Sequence, residues 1–506
     1  MDTIILDGSP LSIKQVESVA RGGVKVALSD AAAKTMAETR AGVEKILGDG
    51  RAYYGINTGF GSLARTRIDS DKLRDLQQNL IRSHAAGVGE DLPGDIVRGM
   101  MLLLAASLAR GISGARPAVA ESLINLLNAG VTPRVPSVGS VGASGDLAPL
   151  AHLSLVLTGE GEAEVGGAVL PGTEALAKAG LTPLQLEAKE GLSLINGTHL
   201  MAAEGALLLA DADRLLDAAL AACAMSIDAM KGTDRHLDPR VHNARRQPGQ
   251  IRAASRLRDL LDASEILPSH ASNDPRVQDA YSLRCAAPVL GAAMDALGYV
   301  KLAIEHELGA VTDNPLVFRS GIGLDVVSAG NFHGIPLAIP LDLLSIALSH
   351  IAGIAERRVY LMLAARDPEA GLNPYLASHP GLQSGLMIAQ YTAAACCNEM
   401  IGLSTPASVA NIPTSAGIED YNSFGPRAAA KARRSMELAR SVVAIELLCA
   451  AQAIENHRPL RSGAGVERAH TVVRGIVPPL EHDRPPSPDI RAIAQKIAEG
   501  AFAPGS

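Results

Sequence analysis

The sequence predicts a mainly α-helical protein, in which a bundle of long helices forms the core and a smaller mixed α/β region precedes it. The core must be aliphatic, because 47% of the residues are hydrophobic, only 3% are aromatic and tryptophan is absent. Alanine recurs on several faces of the long stretches, so we expect an oligomer in which other subunits cover their outer faces. Helical periodicity with few helix-breaking residues extends over four long stretches: 199–230, 277–308, 341–365 and 427–455.

The part of the chain before Asn196 has a mixed pattern. A helix is expected to begin at Pro117 and to be stopped by Gly130, and Gly166-Gly167 is expected to form the turn of a hairpin. The segment 131–145, rich in proline and glycine, is expected to be a loop. The change from this mixed pattern to long helical periodicity predicts a region 1–195 followed by a helical region 196–506. The predicted elements are strands at 3–6 and 24–28, helices at 71–86, 95–108, 117–129 and 147–157, and a hairpin at 163–170.

Charge and cysteine content limit the partners and the compartment. Lysine and arginine number 46 against 53 aspartate and glutamate, so a net charge of −7 argues against a nucleic-acid partner. Five irregularly spaced cysteines do not form a disulfide scaffold. The first residues do not resemble a signal peptide, and the apolar stretch 99–109 is far shorter than the ~20 residues of a membrane span. We therefore expect a soluble cytoplasmic protein without a membrane partner.

The segment 139–147, GSVGASGDL, contains the most informative residues. Its glycines do not fit the spacing of phosphate-binding loops, so a plain loop that leads into a helix is one interpretation. In the other interpretation, the unhindered nitrogen of Gly145 attacks the carbonyl of Ala143. Loss of water and of the Ser144 hydroxyl would then leave a five-membered ring with an exocyclic methylidene. Such a group is an electrophile, which no ordinary side chain provides.

The sequence GSVGASGDLAPLAH resembles the signature of the aromatic amino acid ammonia-lyases, whose Ala-Ser-Gly cyclises to a methylidene-imidazolone. The resemblance covers nearly the whole chain, and it implies a homotetramer of long helices with active sites shared between subunits. It also implies that the group formed from Ala143, Ser144 and Gly145 replaces any external cofactor. Seven further motifs follow in the family's order: YGINTGFG (54–61), SHAAGVG (83–89), EGLSLINGTH (190–199), VQDAYSLRC (277–285), GNFHG (330–334), GLQSGLMIAQ (381–390) and PTSAGIED (413–420).

The reaction that the resemblance implies removes ammonia from the α-carbon and a weakly acidic proton from the β-carbon of the substrate. Tyr54 matches the tyrosine that takes this proton, although a tyrosine here can also be a core residue. Asn196 is implied to bind the ring or the substrate amine, and a simple turn residue is the alternative. For the whole chain, an inactive helical scaffold is one alternative, and the intact Ala-Ser-Gly argues against it.

Gln278, Tyr281 and Arg284 are spaced by three residues, and this spacing predicts that they share one face of a helix. Three polar side chains on an apolar helix are costly to bury unless they line a site or form a structural ion-pair stripe. The resemblance implies that Arg284 binds the substrate carboxylate in a bidentate pair, with Gln278 and Tyr281 beside the electrophile.

Substrate choice is implied by His84, Met387 and Glu419, and Phe332 is expected to pack over the ring. An imidazole and a carboxylate can bond both nitrogens of a substrate imidazole, which phenylalanine would leave unpaired. The resemblance therefore implies conversion of L-histidine to trans-urocanate and ammonia. A tyrosine or phenylalanine lyase or aminomutase is the alternative.

The chain departs from the usual family pattern at His199, Ala287-Pro288, Ile335, Ile418 and Tyr421. We find no Gly-Ser-Ser-x-Met-Pro run of the aspartase and fumarase class. A metal site is not expected, because the sequence has no HExxH motif and no Cys/His cluster.

Overall fold

The chain folds into two units, and the computed structural model describes residues 3–64, 67–320 and 323–504. Each unit is assembled from three separate segments. The first consists of Met1–Ala210, Lys301–Leu341 and Pro406–Ala430. The second consists of Asp211–Val300, Asp342–Thr405 and Lys431–Ser506. The division into regions 1–195 and 196–506 was based on the change in sequence pattern after Asn196, and it stays a prediction.

The first unit contains the strands and the shorter N-terminal helices. A parallel pair, a three-stranded antiparallel sheet and two further antiparallel pairs form its β-structure. Its helices are Ile13–Ala20, Asp30–Leu47, Leu73–His84, Gly94–Ala109, Pro117–Ala129, Ala148–Leu157, Gly172–Lys178 and Glu190–Ile195. Its strands are Ile4–Leu6, Val26–Leu28, Val88–Asp91, Val131–Pro133, Pro136–Val138, Glu162–Val165, Ala168–Pro171, Leu316–Ser320 and Gly323–Val327.

Most of the predicted N-terminal elements are confirmed. The helix that begins at Pro117 ends at Ala129, immediately before Gly130. The hairpin pairs Val165 with Ala168 across the predicted Gly-Gly turn. The expectation of a loop over 131–145 was wrong for two short strands in it. Val131–Pro133 is an edge strand of the three-stranded sheet, where proline is tolerated because one side of the strand needs no ladder donors.

The long helices confirm the mainly helical fold. Four of them exceed 20 residues: His199–Ala229, Ala286–Glu307, Ile335–Ala364 and Gly425–Ile454. Each of these four helices has residues in both units. The α-helices that lie wholly in the second unit are Pro239–Arg245, Pro248–Leu261, Ile266–His270, Tyr281–Arg284, Met387–Leu403, Ala464–Arg474 and Pro486–Ala498.

The prediction of one helix over 277–308 was wrong at its N-terminal end. Residues up to Ala280 form a turn, a short helix follows over Tyr281–Arg284, and the long helix begins only at Ala286. Side chains hold the turn, because Asp274 Oδ1 accepts the Arg276 amide at 2.8 Å and Asp279 Oδ2 accepts the amide of Thr233 at 2.8 Å. Such side-chain bonds to the backbone compete with helical hydrogen bonds.

Two helices, Ala286–Glu307 and Ile335–Ala364, are long and apolar enough by length and composition to cross a membrane. Both are longer than the stretch 99–109, on which the expectation of no membrane span was based. In the most apolar window of each helix, 44% and 61% of the residues are buried inside the chain. Long core helices pass the same test, so these two helices are weak evidence for a membrane span.

Candidate active site

A cavity of about 470 Å³ in the first unit brings six of the predicted site residues together. They come from six segments that are far apart in the sequence. Leucine and isoleucine side chains, among them Leu80, Leu192 and Ile195, complete much of the remaining wall. The six residues are Tyr54, His84, Ser144, Asn196, Phe332 and Glu419.

Ala143-Ser144-Gly145 forms a tightly bent turn in which only glycine fits the third position. Gly145 has a φ of +73°, and a Cβ there would lie 2.0 Å from the carbonyl oxygen of Gly197. The next residue, Asp146, donates its amide to the same carbonyl at 2.7 Å. Ala143 is buried, whereas Ser144 faces the cavity. The turn is therefore pressed against the backbone of Gly197 with its serine directed to the site.

Asp146 anchors this turn to the N-terminus of the helix His199–Ala229. Its Oδ2 accepts the amide of Leu200 at 2.6 Å, one of the amides that a helix start leaves without a helical partner. Burial raises the pKa of Asp146 well above its usual value, against the lowering effect of the Leu200 and Met201 amides.

His199 is buried beside the same turn, and its ring is close enough to Gly197 that a Cβ there would lie 2.5 Å from Cε1. Neither ring nitrogen has a hydrogen-bond partner within the described part of the chain. Burial lowers the pKa of His199 to about 4, so the imidazole is neutral at physiological pH.

Tyr54 is held by a turn that its own motif builds. Asn57 accepts the amide of Tyr53 at 2.7 Å and donates to the Arg51 carbonyl at 2.8 Å. A Cβ at Gly55, where φ is +68°, would lie 2.4 Å from a methyl group of Leu192. The turn therefore requires Asn57 and Gly55 of this motif, and Tyr54 lines the cavity.

Burial raises the pKa of Tyr54, and the negative charges of Glu419 and Asp313 raise it further against the hydrogen bond of the Gly61 backbone. The neighbouring Tyr53 instead donates its hydroxyl to Asp49 at 2.6 Å. A phenolate at Tyr54 is consequently costly to form, and it is a strong base once formed.

The polar side chains of the cavity wall each have a fixed partner on one side. His84 ends the helix Leu73–His84, and its Nδ1 lies 2.8 Å from the Leu80 carbonyl, so that nitrogen carries a proton and Nε2 is left as an acceptor. Glu419 accepts the Thr414 hydroxyl at 2.9 Å, and its other oxygen accepts Ser144 Oγ at 3.4 Å.

Asn314 is a cavity residue that the sequence reasoning missed. Its carbonyl accepts the Asn196 side-chain amide at 3.1 Å, which leaves Asn196 Oδ1 buried and without a partner among the described residues. The signal in the sequence was the polar run Thr312-Asp313-Asn314 shortly after the long helix Ala286–Glu307, and all three residues are buried. The run lies outside every motif quoted for the resemblance.

Four predicted site residues belong to the second unit and are not part of this cavity lining: Gln278, Tyr281, Arg284 and Met387. The expectation of one shared helix face was wrong, because Gln278 lies in the turn before the short helix Tyr281–Arg284. The Arg284 guanidinium lies 4.5 Å from the centre of the exposed Tyr281 ring and donates to the Asp279 carbonyl at 2.9 Å. Met387 begins the helix Met387–Leu403.

Comparison with known proteins identifies the family. Residues 11–475 match the model of the aromatic amino acid lyases. The chain belongs to this family. It is 50% identical to the histidine ammonia-lyase of Anaeromyxobacter dehalogenans strain 2CP-C, over 99% of this chain and 100% of that protein.

Two solved structures of the family have closely similar folds. The histidine ammonia-lyase of Trypanosoma cruzi has a TM-score of 0.91 and 38% identity, covering 99% of this chain and 94% of that one. The tyrosine aminomutase of Streptomyces globisporus has a TM-score of 0.92 and 33% identity, covering 99% and 98%.

Aromatic amino acid lyases form a methylidene-imidazolone from their own chain, and the residues of this lyase fit that group. The decisive observation is the third position of the turn, which no residue with a Cβ can occupy against the Gly197 carbonyl. The buried and unpartnered Asn196 Oδ1 is a second one, since it offers an acceptor in the same cavity.

We expect the substitution Gly145→Ala to prevent cyclisation, because the added Cβ forces the turn away from Gly197. Intact mass spectrometry is the measurement: the native chain should lie two water molecules below its sequence mass, and the variant should not. Gly48→Ala is the control, because Gly48 is exposed and its Cβ meets only ordinary contacts. Cyclised Gly145→Ala protein would contradict the steric assignment.

We expect His199 to make folding stability fall on acidification. Its pKa is about 4 in the fold and 6.5 in the unfolded chain, so the unfolded state binds the extra proton between these values. Stability from this group is complete above pH 6.5 and falls by about 3 kcal/mol as the pH drops to 4. Chemical denaturation of His199→Gln should show a shallower pH dependence over this range. The exposed His306→Gln is the control, and parallel curves for His199→Gln and the native chain would refute the assignment.

Proposed function

We propose that this protein is a histidine ammonia-lyase, which converts L-histidine to trans-urocanate and ammonia without oxidation. The observation that carries the proposal is the presence of His84 and Glu419 in the same cavity as Ser144 and Tyr54. The similarity to histidine ammonia-lyases over the full chain supports it.

Recognition of the substrate imidazole is assigned to His84 and Glu419. The Nε2 of His84 and the Glu419 carboxylate line the same cavity, and both are acceptors. Together they can accept the two N–H groups that the substrate imidazole carries in its protonated form. The phenylalanine ring has no N–H donor, so its binding would cover both protein groups without giving either a hydrogen bond, and this opposes its binding. Phe332 packs against the ring, and we propose that Met387 completes the pocket.

The β-proton of the substrate is too weakly acidic for an ordinary side-chain base, so both the base and its position matter. Tyr54 is the proposed base, and its burial makes the phenolate stronger at the cost of a smaller ionised fraction. The methylidene group formed from Ala143-Ser144-Gly145 supplies an electrophile that turns the substrate amine into a better leaving group. Asn196 accepts from the amine, and the aliphatic walls exclude water.

The carboxylate of the substrate requires a cation, which we assign to Arg284 with Gln278 and Tyr281 beside the electrophile. These residues are not in the cavity lining of the first unit, and we propose that other copies of the chain supply them in a homotetramer. Exposed apolar side chains of the second unit support an assembly, since Val277, next to Gln278 in the sequence, and Leu382 are 99% and 86% exposed in the single chain. Light scattering measures the mass of the assembly.

We further propose a cytoplasmic location and no external cofactor.

A tyrosine or phenylalanine lyase or aminomutase is the second candidate, favoured by the similarity to the tyrosine aminomutase. The residues that depart from the family pattern give this second candidate little further support. Ile418 and Tyr421 are exposed, and neither they nor Ile335 belong to the cavity lining. Tyr421 instead offers its backbone carbonyl to His333 Nε2 at 3.0 Å. Histidine is therefore the substrate that the cavity favours.

The proposed activity is tested by the near-ultraviolet absorbance of urocanate that forms from L-histidine, with Ser144→Ala protein in parallel. We expect absorbance to rise with the native chain and to stay flat with the variant, because the hydroxyl of Ser144 is the group lost in cyclisation. Equal activity of both proteins would exclude the electrophile. Activity with tyrosine or phenylalanine alone would favour the second candidate.

We expect Glu419→Gln to lower kcat/KM for L-histidine about 10- to 100-fold, the effect of losing a hydrogen bond to a charged group. Removal of the negative charge also lowers the pKa of Tyr54, so the ascending limb of the kcat–pH profile should move to lower pH. Asp420→Asn removes the same charge from the exposed neighbouring residue and is the control. If the ascending limb of the kcat–pH profile does not move, Glu419 does not influence the pKa of Tyr54 and the assignment is wrong.

A further inference from the structure

Two residues of the cavity lining, Asn196 and Asn314, are connected along the chain to a buried ion pair that has no assigned role in the reaction. Lys189 Nζ lies 2.7 Å from Asp313 Oδ2, and the two side chains are 0% and 2% exposed. Ser193 accepts from Lys189 at 3.0 Å and donates to Asp313 at 3.1 Å. A buried lysine and a buried carboxylate are each expensive to remove from water, so neither tolerates loss of the other.

Each member of the pair begins a segment that ends at the cavity. Lys189 directly precedes the short helix Glu190–Ile195, which leads into Asn196. Asp313 precedes Asn314 and accepts its amide through Oδ1 at 2.6 Å. The pair therefore connects the two segments whose far ends meet in the hydrogen bond between Asn196 and Asn314.

The Asn196–Asn314 bond decides which atom Asn196 presents. The Asn314 group is a backbone carbonyl, so only the Nδ2 amide of Asn196 can face it. Oδ1 is consequently the atom left over, buried and without a partner among the described residues. Asn314 is itself held from the other side, because its Oδ1 accepts the amide of Ala329 at 2.7 Å.

We propose that Lys189 and Asp313 are positioning residues, whose ion pair holds the Asn196 amide so that its Oδ1 accepts a hydrogen bond from the substrate amine. The proposal rests on the proposed lyase function and deepens it. Neither residue touches the substrate. The Asp313 charge also raises the pKa of Tyr54, so kcat is compared on the pH-independent plateau, where that pKa no longer affects the rate. There we expect the effect of the pair to reach the reaction through Asn196, and this property separates the proposal from a general stabilising role.

The test is a double-mutant cycle between Lys189→Met and Asn196→Ala, with kcat and KM for L-histidine and the Kd of trans-urocanate measured for each protein. In the native background Lys189→Met should lower kcat about 10- to 100-fold, as expected for a misplaced group. In the Asn196→Ala background the same change should lower kcat less than about threefold, because the amide is already absent. Equal losses in both backgrounds would overturn the proposal.

Two further variants keep the test decisive. Lys189→Met/Asp313→Asn removes both buried charges and replaces Lys189→Met in the cycle if that variant does not fold. Lys431→Met/Asp342→Asn is the matched control, a Lys–Asp pair of the second unit with Nζ and Oδ1 3.7 Å apart and both side chains buried. It should lower thermal stability and change kcat less than about twofold. A loss of kcat in the control equal to that of the Lys189 variants would overturn the proposal.

Intact mass of every variant distinguishes positioning from a failure to cyclise. We expect each to lie two water molecules below its sequence mass, and a full-mass Lys189→Met protein would overturn the proposal. If the native chain produces no urocanate, the proposed substrate is wrong. The same cycle is then run with the aromatic amino acid that is turned over, and it decides on the pair in the same way.

Discussion

The contact between Gly145 and the Gly197 carbonyl is the constraint on which the site depends. It joins the bent Ala-Ser-Gly turn to the segment that carries Asn196 and starts the helix His199–Ala229. The amide of Asp146 bonds to the same carbonyl, and its carboxylate caps that helix. The turn is thereby held from both sides by rigid backbone. A reactive group built there keeps one orientation toward the cavity, as catalysis by positioning requires.

This construction buries polar groups that a purely structural core would avoid. Asp146, His199 and the pair of Lys189 with Asp313 are all buried. Their burial moves the pKa of Asp146 up and those of His199 and Lys189 down, with the Asp313 charge opposing the shift of Lys189. The same exclusion of water strengthens the electrostatic effect of Glu419 and Asp313 on Tyr54. Burial of these groups therefore costs folding stability around the site.

The division of predicted site residues between the two units follows from the chain topology. The first unit contains the turn, the proposed base and the proposed imidazole-binding pair, whereas the predicted carboxylate clamp lies on a short helix of the second unit. Exposed apolar side chains accompany that helix, and isolated chains rarely leave so much apolar surface in water. Among the described residues, the lining of this cavity therefore contains no lysine or arginine that could bind a substrate carboxylate.

The sequence by itself determined the helical class and the bounds of most N-terminal elements, since these depend on local periodicity and turn chemistry. Turn chemistry left two interpretations of Ala143-Ser144-Gly145 open, and only the resemblance to the family favoured the reactive one. Six of the predicted site residues also meet in one cavity. Tertiary structure alone decided three features. Asp274 and Asp279 hold a turn where periodicity indicated a helix, because their side chains bond to distant or neighbouring amides. Asn314 joins the site through a backbone carbonyl, which any residue type could supply and which therefore leaves no mark in the sequence. The pairing of Lys189 with Asp313 depends on two segments that are far apart in the chain and meet only in the folded unit.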